Sequence, residues 1–338
     1  MKIAVVSYLA TYGNAPLLCR GFAALGHDVR LIIRYRNVAR NGDYGFGDEF
    51  PNWQADVPAE LAQAREWIRH ADRIVVMAMP SLTWLLPQLT DARIPGAIVL
   101  SSSHLIAATG PMKREIAESG LNPVDWNNRQ IAASGLAVFA MPDLAAYVTC
   151  ADASPYFPPV LPVTFDPRRA KKLAWPILIA HSPGNESRHA WKGTAGIQAV
   201  FDQLNVDLAG QVECRVLPKM THRDLLAERR GHHIFVDQLH APSPVAGYPD
   251  YRGGLGKSGI EAMAAGCVVI TPGGPFVCHP HFADPPAAWI VPHGLRPIIE
   301  YYVTSHWAIG EHGRRAAEWV AKNCRPVDVA GRIVERIA

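Results

Sequence analysis

The stretch from Tyr251 to Thr271 holds the residues best arranged to do chemistry. It runs as a glycine-rich loop (Tyr251-Arg252-Gly253-Gly254-Leu255-Gly256), a short helical block from Lys257 to Ala265, a stop at Gly266 and an apolar strand to Thr271. Unpaired backbone N–H groups in such a loop and at the helix start bind anions, and the helix dipole favours the same charge. Glu261 falls one turn into the helix. A carboxylate there is placed to accept two hydrogen bonds from vicinal sugar hydroxyls. Phosphate-binding amides beside a sugar-binding acid point to a nucleotide. Taken alone, a glycine loop is a weak signal, and a glutamate in a first turn is also an ordinary dipole partner.

The elements around this stretch repeat one pattern. Residues 3–8 read as a strand, Asn14 as a helix N-cap with Pro16 in the first turn, Gly26 as the stop, and residues 29–33 as the next strand. A helix near 59–70 precedes a strand at 73–77. Further strands fall at 97–100 and 137–140, with a helix at 127–135 between them. Five prolines between Pro155 and Pro167 mark a linker. A second series then begins, with strands at 177–180, 212–217, 233–236 and 268–270, a helix at 193–204, and a helical end from His312 broken near Pro326. Short apolar runs alternating with helices predict parallel sheets covered on both faces. The expected class is α/β, with two doubly wound Rossmann-like domains facing a cleft and ligands at the carboxyl ends of the strands.

Bulk properties narrow the class. A chain of 338 residues suits two domains. Its apolar fraction of 49% is that of a globular enzyme, and no apolar run is long enough for a membrane span. The first residues read as a strand rather than a signal peptide. Six cysteines lie scattered without C-x-x-C pairing, so a reducing, cytoplasmic setting is expected. A net charge of +3 is too mild to demand nucleic acid. Arg30, Arg34, Arg36 and Arg40 form a local basic cluster, read first as a solvated surface and second as a surface for an anionic acceptor or membrane headgroups.

Two segments carry a resemblance. Ile179-Ala180-His181-Ser182-Pro183-Gly184-Asn185 running to Lys192-Gly193-Thr194, and Val236-Asp237-Gln238-Leu239 followed by the glycine loop and Gly259 to Gly266, resemble the nucleotide-binding domain of GT-B glycosyltransferases. Retaining enzymes of glycosyltransferase family 4 are the most similar. The specific motifs span about residues 179–271. The first half fits more loosely, through Gly26-His27-Asp28-Val29.

The resemblance implies an N-terminal acceptor domain over 1–160, a donor domain over 168–315, and closing helices over 316–338 packing back toward the N-terminal domain. It implies that Arg188 and Lys192 meet the charge growing on the leaving diphosphate. Glu261 would bind the ribose hydroxyls. Gly256, Lys257, Ser258 and Gly259 would offer N–H groups to phosphate or sugar, and Gly254 and Leu255 would approach the donor sugar through backbone. Tyr12, Gly13 and Asn14 would border diphosphate and acceptor, though they also read as a plain turn and cap. His104 would contact the donor sugar, though a lone histidine at a strand end also serves as a structural hydrogen bonder.

The family's first glutamate is absent, with Gly253 at its position eight residues before Glu261. Donor identity is therefore open. No Asp-x-Asp pair occurs in the chain, in keeping with a site that needs no metal or other cofactor. Cys278-His279-Pro280-His281 lacks further ligands at useful spacing and is not read as a zinc site. The activity expected from the resemblance is transfer of a sugar from a nucleotide-diphosphate sugar to an acceptor hydroxyl, with retention of configuration. A sugar-nucleotide epimerase of the same fold and a non-catalytic sugar-nucleotide binding subunit are the alternatives. A dinucleotide oxidoreductase is disfavoured because the first βα turn lacks G-x-G-x-x-G. The acceptor is open among a sugar, a lipid-linked group, a natural product and a nucleic acid, with Trp53 and Trp126 as candidate stacking residues and peripheral membrane contact as a further candidate partner.

Overall fold

A computed structural model of the chain describes residues 1–9, 14–35, 52–54, 57–77, 94–100, 112–141, 144, 148–149, 153–160, 175–183, 192–239, 255–272, 285–289 and 294–338. The chain divides into two units. Met1–Pro159 and Cys324–Ala338 belong to one, Val160–Ser243 and Pro249–Asn323 to the other.

The first unit is built on a parallel sheet. Its strands are β1 (Lys2–Leu9), β2 (Asp28–Tyr35), β3 (Asn52–Gln54), β4 (Arg73–Met77), β5 (Gly96–Leu100), β6 (Ala137–Ala140) and β7 (Ser154–Pro155). They lie in the order β3-β2-β1-β4-β5-β6-β7. β1 sits between β2 and β4, and Ile3, Ala4, Val5 and Val6 have no exposed surface. That burial is why the strand reads as an unbroken apolar run rather than an alternation. The order reverses between β1 and β4, so the carboxyl end of β1 lies at a topological switch point.

Among the described residues, the helices of this part of the chain are α1 (Asn14–Ala24), α2 (Pro58–Arg69), α3 (Met112–Ser119) and α4 (Pro123–Ser134). α4 has explicit ends. Asn122 caps it by accepting from Asp125 N at 2.9 Å, Pro123 opens the first turn, and Gly135 ends it at φ 65°.

The second unit has a smaller parallel sheet of β8 (Ile177–His181), β9 (Val212–Val216), β10 (Ile234–Val236), β11 (Val268–Thr271) and β12 (Ala288–Trp289). The order is β12-β11-β10-β8-β9, which places a switch point between β8 and β10. Its helices are α5 (Thr194–Asp207), α6 (His222–Arg229), α7 (Lys257–Ala264), α8 (Leu295–Thr304) and α9 (Trp307–Asn323). Ile179, Phe201, Leu204, Ile234, Val236, Ile270 and Ile299 form the centre of its core. Gly313 of α9 lies against the Gly266 carbonyl, where a Cβ would collide with the backbone.

The chain then returns to the first unit as α10 (Pro326–Ile337), which packs on α1. Gly21 of α1 has no room for a side chain beneath the Pro326 carbonyl. Arg73, at the start of β4, donates to the carbonyls of Ile337 and Ala338.

Several expectations are corrected. The proline segment from Pro155 is not linker at its start, because Tyr156, Phe157 and Val160 are buried and β7 pairs with β6. Trp126 is 5% exposed within α4, so it is core and not a surface for stacking. Arg30 is engaged, donating to Asp28 Oδ1 at 2.9 Å and lying 4.5 Å from the centre of the Trp67 ring. Residues 36 and 40 and the side chains of Arg34 and Trp53 lie outside the described residues, as do 278–281. Among the described residues no helix is long and apolar enough to cross a membrane.

Candidate functional site

The carboxyl edge of the second sheet gathers the chemistry. β8 and β10 end there side by side, α6 begins after β9, and α7 begins after Gly256. α6 is short but well started. Thr221 accepts from Asp224 N at 3.1 Å and its hydroxyl donates to Asp224 Oδ2 at 2.7 Å. His222 opens α6 and Arg229 closes it. Seven residues apart, they sit two turns along the same face.

That face meets Glu261 of α7. His222 Nε2 donates to Glu261 Oε1 at 2.8 Å, and Arg229 Nη1 donates to Oε2 at 2.5 Å. Arg229 Nη2 also donates to Ser258 Oγ at 3.1 Å. The guanidinium lies 5.1 Å from the centre of the Phe235 ring, and Arg229 is fully buried. The Cys267 thiol donates to the carbonyls of Arg229 and His232, each at 3.3 Å. Lys257 Nζ stands 3.9 Å from Glu261 Oε1.

These contacts set the charges. Burial pushes the Glu261 carboxyl up, but the His222 hydrogen bond and the charges of Arg229 and Lys257 outweigh it and bring its pKa down to about 2. Burial pushes Lys257 the other way, to about 8, with Glu261 opposing the shift and Arg229 adding to it. The site therefore holds an ionised acid beside an ammonium that gives up its proton readily.

A second group lies at the β8/β10 switch point. Lys192 Nζ donates to Asp237 Oδ1 at 3.1 Å, to the Asp237 carbonyl at 3.3 Å and to the Ser182 carbonyl at 3.4 Å. The Lys192 carbonyl accepts from Leu239 N at 2.9 Å. Gly193 follows at φ 65°, where a Cβ would press on Leu239 Cβ. Below this strap, His181 is fully buried. Its Nδ1 donates to the Val236 carbonyl at 2.8 Å, and its Nε2 meets Thr194 Oγ1 at 3.0 Å.

Asp237 joins the two groups. Its Oδ2 accepts from Gly256 N, the residue that opens α7, at 2.8 Å. A Cβ on Gly256 or Gly259 would lie 3.1 Å from that oxygen, and one on Gly259 also 2.6 Å from Leu255 Cδ1. These glycines are required by close approach of a buried carboxylate, not by an unusual backbone angle.

Seven of the residues expected to act are thus brought to one edge: Lys192, Leu255, Gly256, Lys257, Ser258, Gly259 and Glu261. Leu255 points its side chain into the core, leaving backbone for any ligand. Asn14 opens α1 in the first unit, 8% exposed, with a buried Oδ1 that has no hydrogen-bond partner among the described residues. Tyr12, Gly13, His104, Arg188 and Gly254 lie outside the described residues. His222, Arg229 and Asp237 have no role that the sequence alone makes visible. The Thr221–Asp224 capping pair was the signal for α6, and with it for the shared face of His222 and Arg229.

No family model matches the chain, and no curated protein matches it in sequence. Solved structures do match in fold. Anabaena HepE, solved in complex with UDP, aligns at TM-score 0.61 and 12% identity over 99% of both chains. HepE in complex with UDP-glucose aligns at 0.57 and 13%, again over 99% of both. Sucrose-phosphate synthase from Thermosynechococcus elongatus aligns at 0.56 and 15%, over 99% of this chain and 98% of that one. At these identities the likeness is one of fold, and the fold is GT-B, with two Rossmann-like domains.

Proposed function

We propose that the protein is a glycosyltransferase that moves a sugar from a nucleotide-diphosphate sugar to an acceptor hydroxyl, without a metal and with retention of configuration, as in glycosyltransferase family 4. One observation carries this reading. Glu261 is held as a carboxylate one turn inside α7, close to the helix N-terminus whose dipole favours an anion. That arrangement pairs a ribose acceptor with a diphosphate site on a fold shared with a UDP-bound protein.

The roles follow from position. Glu261 accepts from the ribose hydroxyls through the lone pairs that His222 and Arg229 leave open. The N-terminus of α7 faces the diphosphate with the N–H groups of Lys257, Ser258 and Gly259. Lys192 and Lys257 supply positive charge where the leaving diphosphate gains negative charge, joined by Arg188. The leaving phosphate oxygen takes the acceptor hydroxyl's proton, which removes the need for a carboxylate nucleophile. Asn14, whose Oδ1 has no hydrogen-bond partner among the described residues, serves the acceptor.

The test is a thermal-shift screen against UDP, GDP, ADP, CDP and dTDP, with and without magnesium. A diphosphate at 100 times its dissociation constant stabilises by about 2.7 kcal/mol. A shift with one diphosphate, independent of magnesium and lost in Glu261→Ala, is expected. No shift with any of the five overturns the reading.

A further inference from the structure

Lys192 is already engaged by protein oxygens. An ammonium has three N–H donors, and among the described residues Nζ donates to Asp237 Oδ1, the Asp237 carbonyl and the Ser182 carbonyl. The amide of Gly256, which opens α7, is also taken, by Asp237 Oδ2. A single buried carboxylate thus holds both a cation and a helix-end N–H that an incoming diphosphate would seek. Asp237 cannot swing aside. It has no exposed surface, and Gly256 and Gly259 close on it too tightly to admit even a methyl group without a shift. Lys192 can move, since its stem is flexible and its side chain is 14% exposed.

We propose that Asp237 is a positioning residue that holds Lys192 through its carboxylate and competes with the diphosphate for it. The inference rests on the donor-site reading above. When the anion binds, Lys192 shifts its donors from Asp237 toward phosphate oxygens. When the nucleoside diphosphate leaves, Asp237 recaptures the ammonium. Asp237 thereby weakens product binding and speeds release, while keeping Lys192 aimed between donor visits.

The test is Asp237→Asn, which keeps an oxygen for Gly256 N but removes the charge facing Lys192. The probe is whichever of UDP, GDP, ADP, CDP or dTDP most stabilises the wild-type protein, with affinity read by calorimetry. Asp237→Asn is expected to bind it about fivefold more tightly, the size of one partly exposed ion pair. Its turnover falls if release limits the rate, and Lys192→Met in the same background removes the gain. A merely structural aspartate gives the opposite sign, because loosening the loop weakens binding. Asp237→Ser is the second variant, and circular dichroism and the unfolding midpoint confirm folding. A folded variant that binds equally or more weakly overturns the proposal while leaving the donor site standing. Failure of both variants to fold also overturns it, by making Asp237 a strut. A wild-type protein that binds none of the probes brings down the donor-site reading and this inference together.

Discussion

Arg229 and Glu261 form a buried ion pair with Nη1 and Oε2 2.5 Å apart, and Arg229 has no exposed surface at all. A buried pair of this kind is weak evidence of net stability, but losing one partner leaves an uncompensated charge. Arg229→Met is therefore expected to destabilise the protein by about 3–5 kcal/mol. Arg229→Met combined with Glu261→Gln should recover part of that loss. Denaturant unfolding of the two single variants and the double variant checks this. Additive losses would mean that the two residues act independently.

Acid should act through the same pair. The Glu261 pKa is depressed from 4.5 to about 2 on folding. A depressed carboxyl contributes stability above its unfolded value, and that contribution fades as pH falls from about 4.5 toward about 2. The shift corresponds to roughly 3 kcal/mol. Glu261→Gln should flatten the stability–pH curve across that window, measured as the unfolding midpoint at successive pH values.

Lys257 reports from the alkaline side. Its pKa is depressed from 10.5 to about 8, so between those values the folded protein binds fewer protons than the unfolded chain. Stability from this group therefore rises with pH over that window, and Lys257→Met should abolish the rise. An anion at the α7 N-terminus would favour the charged ammonium. Nucleoside diphosphate binding near pH 9 should then take up protons, seen as binding heats that change with the buffer's ionisation enthalpy. Equal heats in all buffers would place the anion elsewhere.

Three glycines give a steric contrast. Gly259→Ala drives a methyl group against Leu255 Cδ1 and Asp237 Oδ2, and Gly21→Ala drives one into the Pro326 carbonyl. Each should destabilise by about 1–3 kcal/mol, the usual cost of overpacking. A Cβ on Gly331 of α10 meets no described residue within 4 Å, so Gly331→Ala should stabilise by about 0.5–1 kcal/mol through helix propensity. Thermal midpoints of the three variants decide this. Only Gly259→Ala should also weaken diphosphate binding.

The parallel strands were legible because buried strands must be unbroken apolar runs. The strands at 73–77 and 137–140 fall where the run alone placed them. Short edge strands were not legible. β3 and β12 span Asn52–Gln54 and Ala288–Trp289, too few residues for any period to register. α6 escaped notice for another reason. His222-Arg223-Asp224-Leu225-Leu226-Ala227-Glu228-Arg229 is mostly polar because its inward face is made of His222 and Arg229 rather than aliphatic residues. Apolar periodicity cannot detect a helix whose buried stripe is charged. The role of Asp237 was hidden similarly, since its partners Lys192 and Gly256 lie far from it in sequence.

The seat of α10 on α1 constrains how this chain can be made. Residues 324–338 complete a unit whose other strands and helices are drawn from the first 159 residues. During synthesis those early elements leave the ribosome long before the helix that packs on α1, so the face of α1 around Gly21 awaits a late partner. The second unit, encoded between, has its own core and need not wait. A nonsense change or protease nick near residue 323 would thus leave the later-made domain intact and strand the earlier one with an uncovered apolar helix, the kind of surface that chaperones hold and aggregates recruit.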